Sequence, residues 1–167
     1  MNKKILLTSF QTWLPHQKSN ASDDLLEIIA QNNCFNYKMQ FIRQLPVNIP
    51  QAAKPVIQHL KKHQPDIVIC SGMAEKRTML TIESNATWKK QKINTLVKLE
   101  EIVSQLTYTD ISHNAGKFVC EGLYYRVLSY LGKHHPQSKS IFLHVPILNQ
   151  NNLPLILEDI KTLIKSL

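Results

Sequence analysis

Two hydrophobic rhythms alternate along this chain. Residues 4–8, 37–45, 67–70 and 140–145 are short apolar runs bounded by polar residues, and they read as strands. The run Ile67-Val68-Ile69-Cys70 has no polar interruption, as expected of a strand covered on both faces. In residues 23–31, 51–63, 120–131 and 155–166 apolar positions recur at helical spacing. Ser22 is a candidate N-cap ahead of Asp23 and Asp24, and Gly132 a candidate C-cap. Residues 9–20 with Pro15, 46–50 and 71–76 read as loops, and Pro65-Asp66 as a turn. Residues 79–86 fit another strand, 89–92 a charged connector, 93–106 a helical stretch, and 108–112 a short strand or loop. Strands alternating with helices predict an α/β fold: one three-layer α/β/α domain over residues 1–167 with a mostly parallel central sheet. In such sheets ligands collect beyond the carboxyl ends of the strands. Gly72, Glu83 and His144 all fall at or near such ends.

Composition narrows the function classes. The formal net charge is +8, which raises the question of an anionic partner. The basic residues are scattered, however, and the clusters Lys61-Lys62-His63 and Lys89-Lys90-Gln91-Lys92 carry no interleaved aromatics. A solvated face is the expectation, with no nucleic acid. Cys34, Cys70 and Cys120 are too few and too irregular for a disulfide framework, and no CxxC or His-rich tract points to a metal or cofactor. The start Met1-Asn2-Lys3-Lys4 resembles a signal peptide, but the apolar run behind it is short, and no segment reaches membrane-spanning length. A cytoplasmic, reduced protein with no membrane contact is expected.

The candidate chemistry gathers around Ser112-His113-Asn114-Ala115-Gly116-Lys117-Phe118-Val119-Cys120, a polar loop that runs into a helix. A thiol at a helix N-terminus meets free backbone N–H groups and a dipole that favours its thiolate, and the same N–H groups could hold an oxyanion. Cysteine often only fills core space, but a filler gains nothing from this position. Cys70, inside an apolar strand, reads as core, and Cys34, among polar residues, as a bystander. His144 ends an apolar run before Pro146, which suits a base aimed into a cleft, although a lone histidine there is also a common core residue. The other six histidines lie in polar stretches. Glu83 could orient the imidazole, a role that spacing alone gives equally to Asp110 or Glu121.

Several motifs in this order resemble the bacterial and archaeal pyroglutamyl peptidases. Residues 3–10 are similar to the family's opening strand and phenylalanine, Asn20-Ala21-Ser22 to its helix entry, and Leu45-Pro46-Val47 to its Leu-Pro-Val. Pro65 to Cys70, with Gly72, Arg77 and Glu83, resembles the segment ending in the catalytic glutamate. Ala115 to Cys120 resembles the nucleophile motif, and His144-Val145-Pro146 the histidine motif. The resemblance implies a cysteine peptidase that removes N-terminal pyroglutamate without metal or cofactor. Cys120 would be nucleophile, His144 base and Glu83 the orienting acid. Phe10 and Trp13 would sandwich the lactam ring. Family members are commonly homo-oligomers, so a homo-oligomer acting on a peptide or small amide is expected.

The chain departs from the family pattern at the pocket. The opening loop reads Ser9-Phe10-Gln11-Thr12-Trp13-Leu14-Pro15, so a pocket phenylalanine becomes Trp13 and the closing glycines are absent. Met73 replaces a polar amide, Glu121 replaces the usual asparagine after the nucleophile, and Lys117 replaces a small polar residue. The long excursion that follows the glutamate is shortened to a basic connector and a helix. These changes keep two alternatives open: a divergent member with another amide substrate or little activity, and a non-catalytic basic binding protein on the same scaffold.

Overall fold

A computed structural model describes residues 3–32 and 37–167. Cys34 therefore lies outside the described residues. The elements are, in order, β1 (Lys4–Phe10), α1 (Ala21–Gln31), β2 (Lys38–Leu45), α2 (Ile49–His63), β3 (Ile67–Met73), β4 (Leu80–Glu83) and β5 (Asn85–Trp88). They continue with β6 (Gln91–Asn94), α3 (Leu99–Val103), β7 (Thr109–Ser112), α4 (Val119–His134), β8 (Lys139–Val145) and α5 (Leu153–Ser166).

Six strands form the central sheet in the order β2-β1-β3-β8-β4-β7. All pairings are parallel except β4 with β8, which is antiparallel. The expected α/β architecture with a mostly parallel sheet is what forms. Strand periodicity splits the apolar residues between two layers. Ile5, Leu7, Ile67, Ile69, Ile141 and Leu143 pack with Leu25, Leu26, Ile156 and Ile160 on the face covered by α1 and α5. Leu6, Val68, Cys70 and Phe142 pack with Val56, Leu60, Leu123 and Val127 on the face covered by α2 and α4. Burying each of these larger side chains contributes about 1.5–3 kcal/mol, which is why the buried strands are almost wholly apolar.

Some local expectations need correction. Asn20, not Ser22, caps α1; its side-chain oxygen accepts from the Ser22 N–H at 3.0 Å. Gly132 lies inside the last turn of α4, which ends on His135. Ser71 and Gly72 are strand rather than loop, because β3 keeps register with β8 as far as Met73 opposite Val145. The stretch 79–86 breaks at Ser84 into two strands belonging to different sheets. The charged connector is a hairpin turn, with Lys89 and Lys90 both at positive φ (47° and 66°) between β5 and β6. Only Leu99–Val103 of the stretch 93–106 is helical. Thr95 prevents an earlier start: its N–H donates to the Ser84 carbonyl and its hydroxyl to the Ser140 carbonyl, at 2.9 and 2.6 Å.

Candidate active site

The nucleophile candidate sits where the sequence places it, in the first turn of α4. The helix starts at Val119 after Phe118, which has extended backbone and provides no side-chain cap. The first N–H groups of α4, in the turn that contains Cys120, are therefore left without a capping side chain. The sulfur is fixed by an absence on the neighbouring strand. An ideal Cβ on Gly72 would lie 2.6 Å from Cys120 Sγ, so only glycine lets the thiol settle against β3. At the other side of this helix, a Cβ on Gly122 would lie 2.5 Å from Ile49, so glycine also sets how closely α4 approaches α2.

The thiol is not the free thiolate that helix position alone suggests. Burial pushes Cys120 up to about 12, and the negative charge of Glu83 adds to the effect. Its own backbone N–H and the Arg77 cation oppose this without reversing it. Desolvation outweighs the helix terminus because the sulfur is packed between sheet and helix. Burial thus favours the neutral thiol form of Cys120 at rest. Cys70 is likewise buried and pushed up to about 12, in keeping with a core role.

The base and acid candidates meet on the same sheet face. His144 is the register partner of Gly72 on β3 and of Thr81 on β4. Register partners project to one side of a sheet, so the imidazole lies on the face where Sγ occupies the space above Gly72. His144 Nδ1 and Glu83 Oε1 are 2.7 Å apart, and Glu83 is fully buried while His144 is 6% exposed. Spacing left Asp110 and Glu121 as alternatives to Glu83. The Glu121 carboxylate instead accepts the Thr87 N–H at 3.0 Å, which ties β5 to α4 and turns the acid away from the thiol. The Asp110 carboxylate accepts the N–H of its β7 neighbour Ile111 at 2.7 Å.

Burial would raise the Glu83 carboxyl. Hydrogen bonding with His144 and the nearby Ser112 hydroxyl, with the charges of His144 and Arg77, outweighs burial and holds it below its ordinary value. Glu83 is thus an anion beside the imidazole, which suits orientation of a ring and stabilisation of its protonated form. One oxygen, Oε2, is buried without a hydrogen-bond partner of ordinary geometry.

A cavity of about 180 Å³ opens over these groups. Phe10, Trp13, Asn20, Met73, Phe118, Cys120 and His144 are among the residues that line it. All three residues expected to bind substrate are present, but the aromatic pairing differs. The ring beside Trp13 is Phe118, 5.2 Å away between centroids, whereas Phe10 is only 2% exposed and belongs to the core beneath. Trp13 is 47% and Phe118 61% exposed, so they form the rim. Met73 Sδ lies 3.3 Å from the Ala21 N–H, a weak acceptor at the start of α1. Lys117 lines the cavity from its exposed loop.

Sequence reasoning gave no role to Arg77, Phe118 or Asn20. Phe118 carried a readable signal, a large apolar residue in a polar loop just before a helix. Arg77 and Asn20 stood only within the family-like motifs: Arg77 bonds Thr81 and Glu83 nearby and Asn114 across the site, and Asn20 bonds Ser22 and the Gln11 carbonyl. Among the described residues no group of three or more His, Cys, Asp or Glu side chains could hold a metal ion, and no helix is long and apolar enough to cross a membrane.

Known proteins resemble this chain in sequence and fold. A family model described as Pyroglutamyl peptidase matches residues 3–94 and 85–160, two stretches that meet at the β5–β6 hairpin. A pyrrolidone-carboxylate peptidase of Bacillus amyloliquefaciens is 26% identical over 191 aligned positions, covering 92% of this chain and 82% of that protein. One from Streptococcus pyogenes serotype M12 is 26% identical over 171 positions, covering 87% and 78%. The first alignment is longer than the 167 residues of this chain, so it holds gaps here, as a shortened chain requires. Among solved structures, pyroglutamyl peptidase I from Bacillus amyloliquefaciens superposes with a TM-score of 0.81 at 24% identity, covering 99% of this chain and 95% of that one. Pyrrolidone carboxyl peptidase from Thermococcus litoralis gives 0.84 at 19% identity, covering 98% and 92%. At these identities the superpositions speak for the fold.

Proposed function

The chain belongs to the pyroglutamyl peptidase family, and on that premise we propose that it hydrolyses the amide bond that follows an N-terminal pyroglutamyl residue, with Cys120 as nucleophile, His144 as base and Glu83 as orienting acid. One observation carries the reading. A buried 2.7 Å Glu83–His144 contact lies on the sheet face where Gly72 makes room for the Cys120 sulfur.

Each step follows from the placement. The lactam ring enters the cavity beneath Trp13 and Phe118. Its small volume suits a five-membered ring better than a drug-sized ligand, whose pockets span about 300–1,000 Å³. His144 is bound to Glu83 through Nδ1, so Nε2 is its available nitrogen. Because the resting thiol is neutral, the attack begins with transfer of its proton to Nε2 as Sγ adds to the amide carbonyl. The developing oxyanion takes the free N–H groups at the start of α4. The imidazolium, stabilised by ionised Glu83, gives its proton to the departing amine. Water, deprotonated by His144, then cleaves the thioester, releasing pyroglutamate and restoring the thiol.

The substrate is a peptide or a small amide. Met73 favours a second form of the reading, a divergent amide specificity, because a thioether cannot make the strong hydrogen bond of a side-chain amide. The chain is read as one catalytic domain working in the cytoplasm, where thiols stay reduced. A homo-oligomer is included in this reading, with exposed Leu96, Ile147 and Leu155 as apolar surface available to it.

The test is release of a fluorophore from its pyroglutamyl amide, with Cys120→Ala as control. Turnover by the wild type that disappears in Cys120→Ala supports the mechanism. Turnover that survives the substitution overturns it, and turnover only of other N-terminal amides selects the divergent form.

A further inference from the structure

Arg77 does not line the cavity, yet it touches three parts of the site at once. Its Nη1 donates to Glu83 Oε1 at 2.7 Å, the same oxygen that faces His144 Nδ1, and also to Thr81 Oγ1. Its Nη2 donates to the Asn114 carbonyl at 3.1 Å, in the loop that leads to Cys120. Thr81 is the register partner of His144. One guanidinium therefore spans the acid, the strand beside the base and the approach to the nucleophile.

We propose that Arg77 is a positioning residue that locks the Glu83 carboxylate and the Cys120 loop into a single geometry. The proposal rests on the roles given above to Glu83, His144 and Cys120. The carboxylate is held unevenly: Oε1 has both strong partners, while buried Oε2 has none of ordinary geometry. A carboxylate held only by His144 and the nearby Ser112 hydroxyl could rotate and exchange its oxygens, and the imidazole would turn with it. The guanidinium removes that freedom, since its planar fork fixes two directions at once, toward Glu83 and toward Asn114. The setting is too dry for an ordinary surface ion pair, with the Glu83 side chain 0% and Arg77 27% exposed. Lysine would supply the charge but could not reach acceptors on both sides with fixed geometry.

The charge also reaches the nucleophile. The groups around Cys120 are Glu83 and Cys70, which disfavour its thiolate, and Arg77, which favours it. His144 lies on the same sheet face, Lys117 lies on the exposed loop before the helix, and Glu121 is turned to Thr87. Arg77 is the buried-side cation in this set, so charge and fork can be separated by substitution.

The experiment compares wild type, Arg77→Lys and Arg77→Gln by thermal melting, by steady-state hydrolysis of a pyroglutamyl fluorophore amide, and by iodoacetamide alkylation of Cys120 at pH 8. Both variants should lose kcat by about 100-fold, the scale of a misplaced catalytic group. KM should stay within about twofold, since ground-state binding is not what Arg77 serves. Alkylation should slow several-fold in Arg77→Gln and stay near the wild-type rate in Arg77→Lys. Full kcat in either variant overturns the proposal, as does a loss seen only in KM. If the wild type does not turn over pyroglutamyl amides, the substrate reading falls and alkylation alone decides: equal rates in wild type and Arg77→Gln overturn the role of Arg77, and the stated order upholds it.

Discussion

The sulfur of Cys120 occupies the space that a side chain on Gly72 would need, 2.6 Å from its ideal Cβ. The proposed nucleophile is thus located by packing against a strand position whose register partner is His144. A methyl group at position 72 must push α4 outward or rotate the thiol away. Gly72→Ala is expected to cost about 1–3 kcal/mol of stability, the usual range for overpacking. Catalysis should fall further, by about 100-fold in kcat/KM, since the sulfur would move by a sizeable fraction of an ångström. Melting and fluorogenic assays measure both; wild-type turnover by Gly72→Ala would contradict the close packing.

Met73 is the pocket residue with the poorest hydrogen-bonding match. Its thioether faces the Ala21 N–H, which a side-chain amide oxygen would accept more strongly. Met73→Gln should satisfy that N–H and leave an amide N–H₂ for a lactam carbonyl. We expect kcat/KM for pyroglutamyl amides to rise about tenfold, equivalent to one additional net hydrogen bond. An unchanged or lower value would show that specificity is set elsewhere in the cavity.

Asp23 makes part of the fold sensitive to acid. It accepts from Ser9 Oγ at 2.6 Å, from Arg43 Nε and Nη2 at 2.8 and 2.9 Å, and from Gln44 Nε2 at 3.1 Å. Burial would raise its carboxyl, but the bonds from Arg43, Ser9 and Gln44 outweigh burial and hold it below its ordinary value. A lowered folded-state value means stabilisation that is complete above the unfolded value of about 3.9 and lost as pH falls through the folded one. Denaturant melts from pH 7 to 2 should show this loss. Asp23→Asn should lower stability at pH 7 by about 1–3 kcal/mol and flatten the acid limb; an equally steep limb in the variant would assign it to other carboxylates.

The β5–β6 hairpin turns on Lys89 and Lys90, both at positive φ. A two-residue turn of this kind favours Asn-Gly, and left-handed backbone costs other residues about 1–2 kcal/mol each. Replacing the pair with Asn-Gly should raise stability by about 1 kcal/mol, read as a higher denaturant midpoint at unchanged slope. A lower midpoint would mean that the lysines contribute contacts that outweigh the strain.

The alternation of apolar runs and helical spacing made the α/β fold readable, because buried parallel strands need continuous apolar sequence. The segment 79–106 resisted that reading for physical reasons. Its strands are four residues long, and partners outside the segment help to hold it: Glu121 for β5 and Ser140 for Thr95. At the site, Cys120 announced itself through its loop-to-helix position, and His144 through its strand end. Glu83 could not be separated from Asp110 or Glu121 by local pattern. Only the sheet register brings Glu83 to His144, and only the hairpin removes Glu121 from the cleft. Position alone left the state of the thiol open, because desolvation comes from packing against β3 rather than from neighbours in sequence.

Burial that disfavours the Cys120 thiolate has a consequence outside the proposed catalytic cycle. Oxidants and alkylating agents react with thiolates far faster than with thiols. An enzyme whose sulfur becomes nucleophilic only while passing its proton to a neighbouring ring exposes little reactive thiolate between turnovers. Packing of the sulfur over Gly72 therefore bears on chemical durability as well as geometry: under the proposed mechanism it keeps the nucleophile in the form that such reagents attack slowly.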